Sequence, residues 1–209
     1  MSQPRDTISN AIRQAAAQGR PAVVGFMTGG FPDRAGFRDN LMAIGGTADV
    51  VEIGVPFTDP MADGMTIQRA SYAALQGGFT LPWLLEELEK MQPRPRAPLL
   101  LMSYLNPLLA YGLDRLPEAA ARAGVRELLA DFQDIRDYGA AVEVVGRYGA
   151  TLYLATPRIQ KPGEIGIFRA MAKHGAGGYL VRNLAGIAFC KEQGIPFVCD
   201  FSLNAANEW

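Results

Sequence analysis

The chain has 209 residues, 49% of them hydrophobic and 20% charged, with 20 Lys+Arg against 21 Asp+Glu and a formal net charge of −1. That balance leaves no electrostatic basis for nucleic-acid or anionic-membrane partners, because no basic stretch is longer than Pro93-Arg94-Pro95-Arg96. No apolar run approaches the ~20 residues of a bilayer span, and the polar start from Met1 to Asp6 does not read as a signal peptide, so the expected location is cytoplasmic.

Strand-like apolar runs alternate with helix-period segments along the whole chain. An amphipathic helix near 5–18 precedes a first strand, Pro21–Thr28, and a helix around 33–45. The second strand, Asp49–Val55, leads through a polar loop to helices near 66–77 and 81–91. The third, Pro98–Tyr104, is followed by a helix near 113–123, and the fourth, Val125–Ala130, by a helix from Asp137 to Tyr148. The fifth strand, Thr151–Ala155, precedes a helix near 163–174; the sixth, Gly178–Val181, precedes one near 184–193; the seventh is Pro196–Phe201. Alternation of this kind points to parallel strands joined by crossover helices.

Near-continuous apolar strands mean that both sheet faces are covered. Gly124, Gly149, Gly175 and Gly194 each close a helix shortly before a strand, the loop chemistry of a repeated βα unit. The fold class expected is α/β, a (β/α)8 TIM-barrel-like single domain over 1–209, incomplete with about seven βα units where a closed barrel needs eight. Two free strand edges would favour self-association. His174, the single histidine, sits in Ala172-Lys173-His174-Gly175-Ala176 and reads as a helix cap. Cys190 and Cys199 match no metal or redox spacing and read as two buried free thiols, so no metal and no cofactor is expected.

The segment from Val51 to Gln68 concentrates the chemistry. Glu52 lies inside an apolar strand between Val51 and Ile53, whereas Asp59 and Asp63 belong to the loop that follows. A carboxylate among aliphatic side chains is costly unless paired, protonated or used. Loops after strands form the active-site face of a barrel, and two carboxyl groups in different environments can divide acid and base roles. The competing reading is an internal salt bridge for Glu52, with the aspartates serving as turn and N-cap residues for a helix starting near Thr66.

The same segment closely resembles the second strand and loop of the tryptophan synthase alpha chain family. Val24-Gly25-Phe26-Met27-Thr28-Gly29-Gly30-Phe31-Pro32-Asp33 resembles that family's first strand and loop. Leu101-Met102-Ser103-Tyr104-Leu105-Asn106-Pro107 with Tyr111-Gly112 resembles its third, and Ala121-Arg122-Ala123-Gly124-Val125 the approach to its fourth. The likeness covers about residues 1–129 and implies retro-aldol cleavage of indole-3-glycerol phosphate to indole and glyceraldehyde 3-phosphate. It implies that Glu52 protonates the indole ring carbon, that Asp63 engages the indole N–H, and that Phe26 and Tyr104 line the indole pocket. Asp59-Pro60 and Asn106-Pro107 resemble surfaces that meet the tryptophan synthase beta chain. Met65 stands where the family usually has proline, a change expected to loosen the loop.

Beyond Leu129 this resemblance stops. Asp131 falls one residue early for the family's strand-four aspartate, and a one-residue shift sends a side chain to the other face. The Gly-rich phosphate-holding loops of the later strands are missing, which is expected to impair substrate binding; Arg182-Asn183 is the candidate anion contact. About residues 130–209 instead resemble the collagenase-like peptidase family, which includes proteins of RNA hydroxylation, in Ala155–Glu164, Val181–Gly186 and Asp200–Asn204. Arg158, Arg182, Asp200 and Asn204 would then lie at consecutive strand ends. The junction suggests a hybrid, with a non-catalytic scaffold or a remnant of peptidase-like or RNA-modification function as the alternatives to a lyase.

Overall fold

The computed structural model describes residues 4–60, 63–131, 138–139, 142–143, 152–157, 161, 163–199 and 203. Its chain divides into two compact units, Met1–Leu128 and Leu129–Trp209. The fold class is α/β of the TIM-barrel type, with parallel strands in chain order and seven strands among the described residues.

In the first unit, α1 (Pro4–Ala17) precedes β1 (Val24–Thr28), α2 (Phe37–Thr47), β2 (Val50–Gly54), α3 (Met65–Gln76), α4 (Leu81–Lys90) and β3 (Leu99–Tyr104). Two short helices follow, α5 (Leu105–Tyr111) and α6 (Leu116–Arg122). β1 and β2 run parallel in the register Val24↔Val50 to Thr28↔Gly54, and β2 and β3 pair from Val51↔Leu99 to Gly54↔Met102. The apolar alternation decides which face meets the helices. Val51 and Ile53 are fully buried between the sheet and its helical cover, together with Phe37 and Leu41 of α2. In α4, Leu81, Leu84, Leu85 and Leu88 recur at helical spacing and are all buried, each such side chain contributing roughly 1.5–3 kcal/mol. The hydroxyl of Thr80 caps this helix by accepting from the Trp83 N–H at 3.2 Å.

Strand β4 (Val125–Asp131) runs across the boundary and extends one residue past the expected end, to Asp131. The second unit contains β5 (Leu152–Ala155), α7 (Ile165–Ala172), β6 (Gly178–Val181), α8 (Leu184–Gln193) and β7 (Phe197–Cys199). β5, β6 and β7 are parallel, with Tyr153↔Gly178 and Val181↔Cys199 among the register pairs. Asn183 caps α8 by accepting from the Gly186 N–H at 2.8 Å, and Gly194 ends that helix in the left-handed region at φ 65°.

Several elements differ from the sequence expectation. The helix expected from 33 begins at Phe37, because Asp33 Oδ1 accepts from the Gly36 N–H at 2.8 Å and holds a turn ahead of it. The helix expected near 113–123 runs from Leu116 to Arg122, and a further helix that was not expected, Leu105–Tyr111, precedes it and ends at Gly112, φ 105°. His174 lies one residue past the C-cap, Lys173; its N–H donates to the Met171 carbonyl and its ring meets Tyr138 edge-on at 6.5 Å. Cys190 is buried and free, but Cys199 is exposed, on the last strand of the order, where no further described strand covers it. Of the helix expected over Asp137–Tyr148, residues 138–139 and 142–143 are described and helical. Gly149, Arg158, Asp200 and Asn204 lie outside the described residues.

Candidate active site in the first unit

The direction of each side chain follows from the pleat. A Cβ built on Gly25 would meet Ile44 and Ala48 of α2, so odd positions of β1 face the helices and Phe26 and Thr28 face the other way. On β2, a Cβ at Gly54 would fall 2.7 Å from Phe26 Cζ, which places Gly54, and therefore Glu52 two residues earlier, on the same inner face as Phe26. The register then sets side chains in rows. Phe26, Glu52 and Leu100 are cross-strand neighbours, and Thr28, Gly54 and Met102 form the next row toward the strand C-termini. Glu52 is half-buried between fully buried neighbours, so the acid opens onto the interior face rather than onto the helices.

Above these rows the loop after β2 supplies a second layer. The Phe57 ring packs on Tyr104 at a centroid distance of 5.2 Å and an interplanar angle of 35°. Asp63 ends the loop, half-buried. Its N–H donates to the Pro60 carbonyl at 3.4 Å, and the Gln68 side-chain amide donates to the Asp63 carbonyl at 2.8 Å and the Pro60 carbonyl at 3.4 Å. The first turn of α3 therefore holds the loop by its backbone. The N-cap of α3 is Gly64, with no side-chain cap, so Asp63 does not serve as the cap. Met65 is the first helical residue and is exposed, where proline would have preset the backbone angle.

Asp59 is exposed and accepts from the Thr58 hydroxyl at 2.6 Å, and Pro60 beside it is half-buried. Asn106 is exposed and Pro107 half-buried, both in the first turn of α5. Arg182 belongs to the second unit, where it is buried; its backbone N–H donates to the Thr156 hydroxyl at 3.0 Å. Asn183, raised with it as an anion contact, is committed to structure: its amide donates to the Pro157 carbonyl while its oxygen caps α8. Phe57, Gln68 and Thr28 were not singled out from the sequence. A polar amide one turn into a helix after an acidic loop was the available signal for Gln68.

A contrasting acid lies at the other end of β2. Asp49 receives two 2.7 Å hydrogen bonds from the Arg20 guanidinium and one of 2.8 Å from the Val23 N–H. The arginine, and then the backbone donor, hold its carboxyl well below the usual carboxylate range. In the second unit, burial pushes the Cys190 thiol up to about 11. Among the described residues no cluster of three or more His, Cys, Asp or Glu could hold a metal ion.

The family model described as "Tryptophan synthase alpha chain" matches residues 12–137. The chain belongs to the tryptophan synthase alpha chain family. It is 42% identical over 146 residues to the tryptophan synthase alpha chain of Solidesulfovibrio magneticus, covering 69% of this chain and 57% of that one. With the tryptophan synthase alpha chain of Nitratidesulfovibrio vulgaris it shares 47% identity over 119 residues, 56% of this chain and 46% of the relative. The chain thus spans about half the length of the curated relatives it matches. Among solved structures, tryptophan synthase of M. tuberculosis in its aminoacrylate-bound form superposes with a TM-score of 0.76 at 23% identity, over 95% of this chain and 80% of that one. The A-subunit of Pyrococcus furiosus gives 0.71 at 20% identity, over 87% and 78%. Those structural likenesses establish the fold, and the sequence matches establish the family. The family match contains Phe26, Glu52, Asp63 and Tyr104, and it extends beyond Leu129, where the motif resemblance stops.

Proposed function

We propose that the protein is a lyase of the tryptophan synthase alpha type, cleaving indole-3-glycerol phosphate to indole and glyceraldehyde 3-phosphate. The observation that carries this reading is Glu52 on the inner face of β2, beside Phe26 and Leu100, in a row directly below the strand ends and the Asp63 loop. Carbon–carbon cleavage needs a proton delivered to the indole ring carbon and a proton removed from the glycerol hydroxyl on the carbon next to the ring. The Glu52 carboxyl delivers the first, and Asp63 accepts from the indole N–H and stabilises the positive charge that ring protonation creates. The carbon–carbon bond then breaks to indole and an aldehyde as the hydroxyl proton passes to the Glu52 carboxylate, which the first transfer left ionised. Phe26 and Tyr104 supply apolar surface for the ring. Asp59, Pro60, Asn106 and Pro107 form the face offered to a beta chain, which takes up indole.

The assay is indole release from indole-3-glycerol phosphate by wild type, Glu52→Gln and Asp63→Asn. Loss of release in both variants is expected, and equal rates in all three proteins would end the lyase reading. A barrel scaffold without turnover is the second reading. What favours it is the sequence expectation that residues 130–209 do not carry the family's Gly-rich phosphate-holding loops. Losing charge-assisted hydrogen bonds to phosphate, each worth roughly 1.5–3 kcal/mol, raises the substrate concentration that the assay must reach. The resemblance of residues 130–209 to collagenase-like peptidases makes a hybrid origin part of this second reading.

A further inference from the structure

Thr28 ends β1 and is 5% exposed, yet its hydroxyl has no hydrogen-bond partner among the described residues. Buried hydroxyls are normally satisfied, so an unsatisfied one calls for an explanation. Its position supplies one. The pleat that points Gly25 at α2 and Phe26 inward also points Thr28 inward, and Gly29 returns to the helices, where an added Cβ would lie 2.9 Å from Phe79. Thr28 pairs in register with Gly54, which presents no side chain to occupy the hydroxyl, and lies one inward position beyond the row of Phe26 and Glu52. That step is about 6.5 Å along a strand. An aromatic ring held beside Phe26 with its reacting carbon at Glu52 would direct its substituent chain toward this row.

We propose that Thr28 is a substrate-binding residue whose hydroxyl hydrogen-bonds a hydroxyl of the three-carbon chain carried by the indole ring, an assignment that rests on the lyase reading above. A threonine hydroxyl both donates and accepts, so it can satisfy an alcohol that must itself give up a proton. The group that no described residue satisfies becomes satisfied in the complex. The assignment therefore separates binding from stability: removing a hydroxyl that bonds none of the described residues leaves folding intact while weakening the complex.

The test is calorimetric titration of indole-3-glycerol phosphate into Glu52→Gln, which holds substrate without turning it over, and into the same protein carrying Thr28→Val or Thr28→Ser. The expected result is a Kd raised about 3- to 10-fold by valine, the range of one net hydrogen bond, and restored to within about twofold by serine. The melting temperature of ligand-free Thr28→Val should equal or exceed that of its parent. Unchanged affinity in the valine protein, or a lowered melting temperature, overturns the assignment. So does the absence of binding by the Glu52→Gln parent. The lyase reading fails on a different observation, indole release by Glu52→Gln at the wild-type rate.

Discussion

The two units use the same local device to different ends. In the first, the Phe26 ring covers Gly54 on the neighbouring strand; in the second, the Tyr153 ring covers Gly178, its register partner. Phe26 nevertheless stays 37% exposed, whereas Tyr153 is 6% exposed. Polar groups at the strand ends divide in the same way. Thr156 accepts from the Arg182 N–H, Asn183 serves the Pro157 carbonyl and the start of α8, and the Tyr138 hydroxyl donates to the Ala155 carbonyl at 2.9 Å. These groups of the second unit are committed to its own backbone. In the first unit the Thr28 hydroxyl makes no such commitment to a described residue, and Glu52 opens onto the inner face beside the Phe26 ring.

The contrast can be broken at its strongest point by Glu52→Gln, which should lower indole release by about 10²–10⁴-fold, the range of a general acid, with little change in melting temperature. A fall in stability matching the fall in rate would make Glu52 a structural residue like those of the second unit. Next in size is Gly178→Ala. Its Cβ would collide with Tyr153 Cε1 and lie 2.7 Å from the Pro196 carbonyl oxygen, a backbone atom that cannot swing away. Overpacking of this kind should cost about 1–3 kcal/mol in a denaturant titration. Gly54→Ala meets only the far edge of the Phe26 ring, at 2.7 and 2.8 Å, so it should cost less stability while moving the ring that borders Glu52. Equal destabilisation by the two alanines would erase the distinction between the units.

Smaller again, Asn183→Ala and Thr80→Ala each remove an N-cap, one in each unit, and should each cost about 1 kcal/mol in thermal melts. Asn183→Ala should be the worse of the pair because it also strips a donor from the Pro157 carbonyl. The smallest effect is expected from pH. The Asp49 carboxyl is depressed in the folded protein, chiefly by the Arg20 hydrogen bonds, so its contribution is complete above the ordinary carboxylate pKa of about 3.9 and is lost as pH falls below that toward the lowered value. Wild type should therefore lose melting temperature more steeply than Asp49→Asn below about pH 4, and parallel curves would exclude the linkage.

Much of the fold was legible because its signals are local. Continuous apolar strands were placed to within a few residues, and Gly124, Gly175 and Gly194, read as helix ends, all adopt positive φ, at 77°, 66° and 65°. The helix at Leu105–Tyr111 escaped because Leu-Asn-Pro reads as a turn. Pro107 is tolerated there because the N–H groups of a helix's first turn have no intrahelical partner to lose. Cys199 was expected to be buried, but its exposure depends on whether another strand follows β7, which its neighbours in sequence do not state. At the site, a glutamate between valine and isoleucine stood out by its cost. The Phe57–Tyr104 contact and the grip of Gln68 on the loop did not, because each depends on where a loop returns.

From sequence alone came the α/β class, the order of strands and helices, and the presence of an acid inside the second strand, since periodicity and burial cost act over a few adjacent residues. Only the tertiary structure decided which polar groups at the strand ends are already engaged. Thr28 meets a glycine across the sheet, and Thr156 meets the backbone N–H of Arg182, just past the end of β6. That outcome depends on pairing between segments some 26 residues apart, which no local pattern encodes.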